Sequence, residues 1–166
     1  MFRMTATVLA LLSVLVFIAA SAVVGLAQSG PVILSVQTAD QTRAKSYNRT
    51  QLESLGLIEI TTITPWTDGD MRFEGVLARN VLADFGQSGR RIIAVALNDY
   101  QVEIPVRDLQ RYDVILATRL NGQPMSVRER GPIWVIYPWS GDPALQNEVF
   151  YARSIWQLRS IQVQAN

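Results

Sequence analysis

Hydrophobic and polar positions alternate in short runs along most of this 166-residue chain, and this pattern predicts short β-strands. The runs of strand length lie at residues 31–37, 57–64, 71–74, 91–97, 101–104, 114–120, 133–137 and 155–163. Residues 91–97 are almost continuously apolar, so we expect this strand to be buried on both faces. Asn121 and Gly122 both tolerate positive φ and predict a tight hairpin after residues 114–120.

Helical patterns are fewer and shorter than the strand patterns. The predicted helices are residues 50–56, 75–85, 105–110 and 143–151. Thr50 and Glu53 have the spacing of a capping box, and Asp142 is a suitable N-cap for the last of these helices. Residues 39–49 are polar and predict a loop. Together these segments predict an α+β fold with β-rich mixed sheets and short helices.

The N-terminal segment has the order of a secretory signal peptide. Residues 5–20, which follow Arg3, are almost wholly apolar, and small residues come next. We therefore expect a signal peptide at residues 1–27 and a mature domain at residues 28–166. The alternative is an uncleaved membrane anchor, because residues 5–27 are long enough to span a bilayer. The domain is then periplasmic or secreted by a Sec-type route, or anchored in the membrane and facing the periplasm.

Composition excludes several kinds of chemistry. The chain has 15 basic and 14 acidic residues, so it lacks the basic excess that a nucleic-acid partner requires. It contains no cysteine and no histidine, which removes disulfides, the commonest general base and the commonest ligands of soft metals. Acid–base work would fall to carboxylates such as Asp68, Asp70 or Asp99, and nothing in their spacing marks them as catalytic. We assign no catalytic residue and no metal ligand.

Five segments follow one another along the chain in a distinctive order: FEGVLARNVL, ALNDYQVEIP, YDVILATRLNGQPM, GPIWVIYPW and IWQLRSIQV. In this order they resemble the oxidoreductase molybdopterin-binding domain of the sulfite oxidase family, over roughly residues 57–163. The resemblance implies the fold of that family's small exported members, a molybdopterin cofactor and redox chemistry. In the family, a cysteine after the strand that enters the site binds the metal, and Thr62 lies close to that position here.

The chain departs from the family's pattern where the chemistry is concentrated. A threonine hydroxyl at position 62 is a poor ligand for a soft metal, Trp134 stands where the family has an arginine, and Ile155 stands where it has a lysine. Family enzymes usually leave the cytoplasm already folded by the twin-arginine route, whereas this N-terminus has only Arg3. From the residues we expect no cofactor and no working metal site, whereas the resemblance implies molybdopterin.

The candidate cofactor-binding residues are Thr62, Asn98, Tyr100, Arg119, Arg130 and Arg153. Asn98 and Tyr100 follow a buried strand and either meet a ligand or only form a turn. The arginines suit an anion such as a pterin phosphate, or are ordinary surface charges. The four tryptophans line a pocket for a flat ligand, or belong to the core.

Two hypotheses about function remain open, and they differ in whether the chain is an enzyme. The first is a pterin-binding redox domain of the sulfite oxidase fold. The second is a non-catalytic exported protein on the same fold, whose partner is an anionic small molecule or pterin, or a membrane or periplasmic protein. The missing metal ligands favour the second hypothesis.

Overall fold

The structure is a computed structural model, and it describes residues 30–86 and 89–164. The predicted signal peptide or membrane anchor at residues 1–27 lies outside the described residues and stays a prediction. Within these two ranges, no helix is both long enough and apolar enough to cross a membrane.

The described residues form two five-stranded sheets. Their strands are, in chain order, β1 (Val32–Thr38), β2 (Ala44–Asn48), β3 (Leu57–Thr62), β4 (Met71–Leu77), β5 (Arg91–Ala96), β6 (Gln101–Pro105), β7 (Ile115–Leu120), β8 (Gln123–Pro124), β9 (Trp134–Ile136) and β10 (Leu158–Gln164). The first sheet has the order β2-β1-β10-β5-β6, in which β1 and β10 are parallel and the other pairs antiparallel. The second sheet is antiparallel with the order β3-β4-β7-β8, and β9 also pairs with β7.

Short helices connect these strands. The α-helices are α1 (Arg49–Glu53), α2 (Ala78–Phe85), α3 (Val106–Arg111) and α4 (Glu148–Arg153), and 3-10 helices cover Val127–Glu129, Trp139–Gly141 and Pro143–Leu145. The helix α2 buries one face, and it ends at Gly86, which has a φ of 70°. The sheets and helices share one hydrophobic core. Its largest side chains include those of Phe73, Phe85, Trp134, Tyr137 and Trp139.

Two sequence predictions about the first sheet need correction. The loop predicted at residues 39–49 is wrong, because this segment contains β2, which pairs antiparallel with β1. The capping box predicted from Thr50 to Glu53 is also wrong. Asn48 accepts a hydrogen bond from the Gln51 N–H, and the Gln51 side chain accepts one from the Asn48 N–H, so the N-cap of α1 lies two residues before Thr50.

The predicted helices at residues 75–85 and 143–151 are shorter than expected. The strand β4 continues to Leu77, because its backbone pairs with β7 up to this residue, and α2 therefore starts at Ala78. Residues 143–151 divide into a 3-10 helix and α4, because the Asn147 side chain forms a new N-cap on the Val149 N–H.

The hairpin is confirmed, and the central strand is buried fully on one face and partly on the other. Asn121 and Gly122 have φ values of 50° and 82°, and they connect β7 to the antiparallel β8. The strand β5 lies between β10 and β6. On one face, residues 92, 94 and 96 are buried in the core. On the other face Val95 is buried, but Ile93 is only half-buried and Arg91 is exposed, so the expected burial of both faces holds in part.

The strands β4 and β7 approach closely at Gly75. A Cβ atom at this position would lie 2.3 Å from the Leu116 carbonyl oxygen and 2.6 Å from the Ala117 Cα, both of which are backbone atoms. The register of the pair also shifts between Glu74 and Gly75. The absence of a side chain at Gly75 therefore permits this pairing.

We predict that Gly75→Ala lowers the free energy of unfolding by about 1–3 kcal/mol, because the backbone of β7 must move to accommodate the methyl group. Gly141→Ala is the matched control, since a Cβ there meets nothing within 4 Å. Urea denaturation measures both variants. Equal stability of the two variants would contradict the close approach.

Candidate functional site

Thr62, the residue predicted at the metal-binding position, lies at the end of β3 and is fully buried. Its Oγ1 accepts a hydrogen bond from the Ser140 N–H at 2.9 Å and lies 3.3 Å from Ser140 Oγ and 3.2 Å from the Ile63 carbonyl oxygen. Ser140 Oγ in turn accepts from the Ile63 N–H at 3.0 Å. The hydroxyl thus already has a donor and acceptors, and it joins β3 to the 3-10 helix Trp139–Gly141.

Arg119, another predicted cofactor-binding residue, is held by an acidic partner. Its Nε and Nη2 donate to the two carboxylate oxygens of Glu53 at 3.0 and 2.8 Å, and Thr118 Oγ1 donates to the same carboxylate at 2.7 Å. Burial raises the pKa of Glu53, but the hydrogen bonds from Arg119 and Thr118 and the positive charges of Arg119 and Arg49 outweigh it. The pKa of Glu53 therefore lies below its ordinary value. This cluster connects α1 to β7.

Arg153 is held in the same way at another place in the fold. Its Nη1 donates to Asp108 Oδ2 at 2.7 Å, and the buried Tyr137 hydroxyl donates to the same oxygen at 3.3 Å. Burial, with the negative charge of Asp108, raises the pKa of Tyr137 above its ordinary value. The pair ties α4 to α3, so the structure gives Arg153 an acidic partner within the fold.

A pocket of about 430 Å³ brings together two of the predicted residues, Asn98 and Tyr100. Four aromatic side chains line it, together with Asn98, Glu148 and small or apolar residues; the aromatic residues are Trp66, Tyr100, Tyr151 and Trp156. The alternative reading of Asn98 also holds, because its Oδ1 accepts from the Tyr100 N–H at 3.2 Å and thereby forms a turn. The turn positions both residues at the pocket.

The aromatic rings of the pocket meet nearly at right angles. The ring of Trp66 makes an angle of 78° with that of Trp156 at a centroid distance of 5.3 Å, and 75° with that of Tyr151 at 6.1 Å. The rings of Trp134 and Trp139 also contact the ring of Trp66, and both are fully buried in the core. The tryptophans are therefore divided between the core and the pocket. Both readings of the tryptophans are therefore partly right.

Arg130 supports this aromatic group without lining the pocket. It has a φ of 70°, and its guanidinium carbon lies 5.0 Å from the ring centroid of Trp134 and 5.8 Å from that of Trp156. Its Nη2 donates to the Trp66 carbonyl oxygen at 3.1 Å. Arg119, Arg130 and Arg153 thus have separate partners and do not converge on one anion.

Sequence reasoning missed Glu148 and Tyr151. They lie three residues apart on α4, so they occupy the same side of this helix. Their spacing within the predicted helix at residues 143–151 was the available signal, but nothing in it indicated which side of the helix would meet β6. Within the described ranges, no group of three histidine, cysteine, aspartate or glutamate side chains could hold a metal ion.

We predict that Thr62→Val lowers the free energy of unfolding by about 1–3 kcal/mol, because it leaves the Ser140 N–H without an acceptor. Thr61→Val, an exposed neighbour on the same strand, is the control and changes stability little. Combined with Ser140→Ala in a double-mutant cycle, Thr62→Val should show a coupling energy above about 0.5 kcal/mol. Strict additivity would show that the two side chains act independently.

We predict that Glu53→Gln weakens the fold at neutral pH by about 1–3 kcal/mol and reduces the acid sensitivity of stability. Because the pKa of Glu53 is lowered in the folded state, its contribution is present above the unfolded pKa of about 4.3 and is lost as the pH falls through the folded value. Urea denaturation between pH 7 and 3 measures this effect. Glu59→Gln, at an exposed carboxylate, should keep the wild-type pH dependence, and an identical loss in both variants would refute the assignment.

Comparisons with known proteins agree with this fold. Residues 31–142, more than half of the chain, match the family described as the oxidoreductase molybdopterin binding domain. Among solved structures, the sulfane dehydrogenase SoxCD from Paracoccus pantotrophus is similar with a TM-score of 0.61 and 16% sequence identity, over 80% of this chain and 38% of that chain. This chain therefore spans well under half the length of that one.

None of the curated proteins matches this sequence. The α+β fold expected from the sequence, with mixed sheets and short helices of the sulfite oxidase type, is confirmed by the architecture and by these matches. The chain belongs to the oxidoreductase molybdopterin binding domain family.

Proposed function

We propose that this chain is an exported, non-catalytic member of its family, which binds a small molecule in the aromatic pocket and has no working molybdenum centre. The observation that carries the proposal is the state of the Thr62 hydroxyl. It stands at the position that, by resemblance, belongs to the metal-binding cysteine, and its hydrogen-bonding capacity is taken up by Ser140 and Ile63.

The donor set does not fit a molybdenum centre at this position. A neutral, buried and hydrogen-bonded hydroxyl is a poor ligand for a soft metal, and the chain has no thiolate or imidazole to replace it. The two further departures from the family pattern point the same way. Trp134 and Ile155 are buried, and the Trp134 Nε1 donates to the Ser154 carbonyl oxygen at 3.0 Å, so neither presents a positive charge to a cofactor.

The arginines do not provide a site for a pterin phosphate either. Arg119 and Arg153 already neutralise Glu53 and Asp108 at 2.8 and 2.7 Å. A phosphate would have to displace one of these carboxylates and leave it without its charge partner. The pocket itself contains Glu148 and no arginine or lysine among the described residues that line it, which disfavours the anionic ligand expected from the sequence.

Export is supported by the N-terminal sequence. A basic Arg3 followed by the apolar residues 5–20, without an arginine pair, is the arrangement of a Sec-type signal. A chain that crosses the membrane unfolded does not carry a preassembled cofactor. The proposed location, periplasmic or secreted, is thus consistent with the proposed lack of a metal centre.

The test is the metal content of the native exported protein. We expect elemental mass spectrometry to find less than about 0.1 atom of molybdenum or tungsten per chain, and we expect no fluorescence of oxidised pterin after acid treatment. The intact mass should correspond to a start near Gln28. One molybdenum or tungsten atom per chain, with pterin fluorescence, would overturn the proposal.

A further inference from the structure

We infer that the aromatic pocket binds an organic cation of the quaternary-ammonium class. The inference rests on the proposed function, since it takes this pocket as the ligand site, and it adds the chemistry of the ligand. Three features of the pocket support it, namely its charge, the arrangement of its rings and the position of its lining residues in the chain.

The charge of the lining favours a cation. Among the described residues that line the pocket, Glu148 carries the one formal charge, and its carboxylate is exposed to solvent at the mouth. The nearby Asp99 and Arg159 neutralise each other in an ion pair. A ligand with a positive charge therefore meets one uncompensated carboxylate, whereas an anion would meet repulsion from Glu148 and no opposing arginine or lysine in the lining.

The rings favour a cation without hydrogen-bond donors. Trp66, Tyr151 and Trp156 form walls that meet nearly at right angles, and Tyr100 stands at the rim with half of its surface exposed. Electron-rich ring faces attract cations, and a group of such faces is the characteristic site for a quaternary ammonium group. The volume of about 430 Å³ lies within the usual range of small-molecule sites.

Arg130 shows that this aromatic group already holds one cation. Its guanidinium lies against the rings of Trp134 and Trp156, outside the pocket lining. It opposes a second cation through its charge, so the ligand is expected to use the rings that Arg130 leaves free. These are the rings of Trp66, Tyr100 and Tyr151, which line the pocket together with Glu148 and make no cation–π contact with Arg130.

Two of the lining residues lie in a part of the chain that the family match does not include. Glu148 and Tyr151 on α4 lie beyond residues 31–142, which match the family. The site therefore combines the α4 segment with family-like positions such as Trp66, Tyr100 and Trp156. A ligand unlike the cofactor of the family is consistent with this origin.

The first experiment compares two ligands of nearly equal shape. Choline chloride and its uncharged isostere 3,3-dimethylbutan-1-ol are titrated into the full chain by calorimetry at constant ionic strength. We expect choline to bind about tenfold or more tightly than the isostere, because only choline gains the cation–π attraction. Equal or tighter binding of the isostere, or no saturable binding of choline, would overturn the inference.

Paired variants locate the binding. Tyr100→Leu should weaken choline binding about two- to fivefold while Tyr100→Phe keeps it, because phenylalanine retains the ring face. Glu148→Gln should weaken choline binding by a similar factor of about two to five without affecting the isostere, whereas Glu59→Gln on β3 should change neither. Unchanged choline binding in both Tyr100→Leu and Glu148→Gln would place the ligand elsewhere and refute the site. Thermal unfolding confirms that each variant is folded.

The metal content of the same preparation separates this inference from the proposed function. A metal-free protein that does not bind choline would reject the ligand class alone. A protein with one molybdenum or tungsten atom per chain would reject the proposed function, whatever the result with choline.

Discussion

The reciprocal hydrogen bonds between Thr62 and Ser140 are the interaction on which this account depends. They close the end of β3 onto the segment after β9, at the place where the family resemblance puts a metal-binding thiolate. A thiolate there would carry charge and bind a soft metal, whereas the hydroxyl is neutral and satisfied within the protein. On the proposed function, this position contributes to folding, and ligand binding takes place elsewhere on the same scaffold.

Two of the predicted arginines are also paired within the protein. Glu53 and Asp108 hold Arg119 and Arg153 between elements that are distant in the sequence, and these pairs connect helices to strands or to other helices. The aromatic pocket beside α4 differs from these clusters, because Glu148 in its lining has no arginine or lysine partner among the described lining residues. The sheets themselves are held by strand pairing and by one hydrophobic core.

The sequence predicted the strands of both sheets better than it predicted the site. Alternating apolar runs and the Asn121–Gly122 turn are local signals, and they were sufficient for most strands and for the hairpin. The strand β2 was missed because its residues are mainly exposed at the edge of a sheet and carry little apolar pattern. The five segments that follow one another in the order of the family indicated the type of fold, which local patterns alone did not specify.

For the candidate site, the sequence indicated the surroundings of a residue only where its partners lie close to it along the chain. Asn98 and Tyr100 were found because the turn after a buried strand is a local feature. The roles of Arg119 and Arg153 depend on acidic partners 66 and 45 positions away, and no local pattern reveals such a pairing. The same holds for Thr62, whose partner Ser140 lies 78 positions away.

The most direct test of the central claim is anomalous diffraction at the molybdenum edge from crystals of the native exported protein. The account predicts no anomalous peak near residue 62, with Thr62 Oγ1 within hydrogen-bonding distance of the Ser140 backbone nitrogen. A molybdenum peak beside Thr62, with the side chain turned away from Ser140, would contradict it.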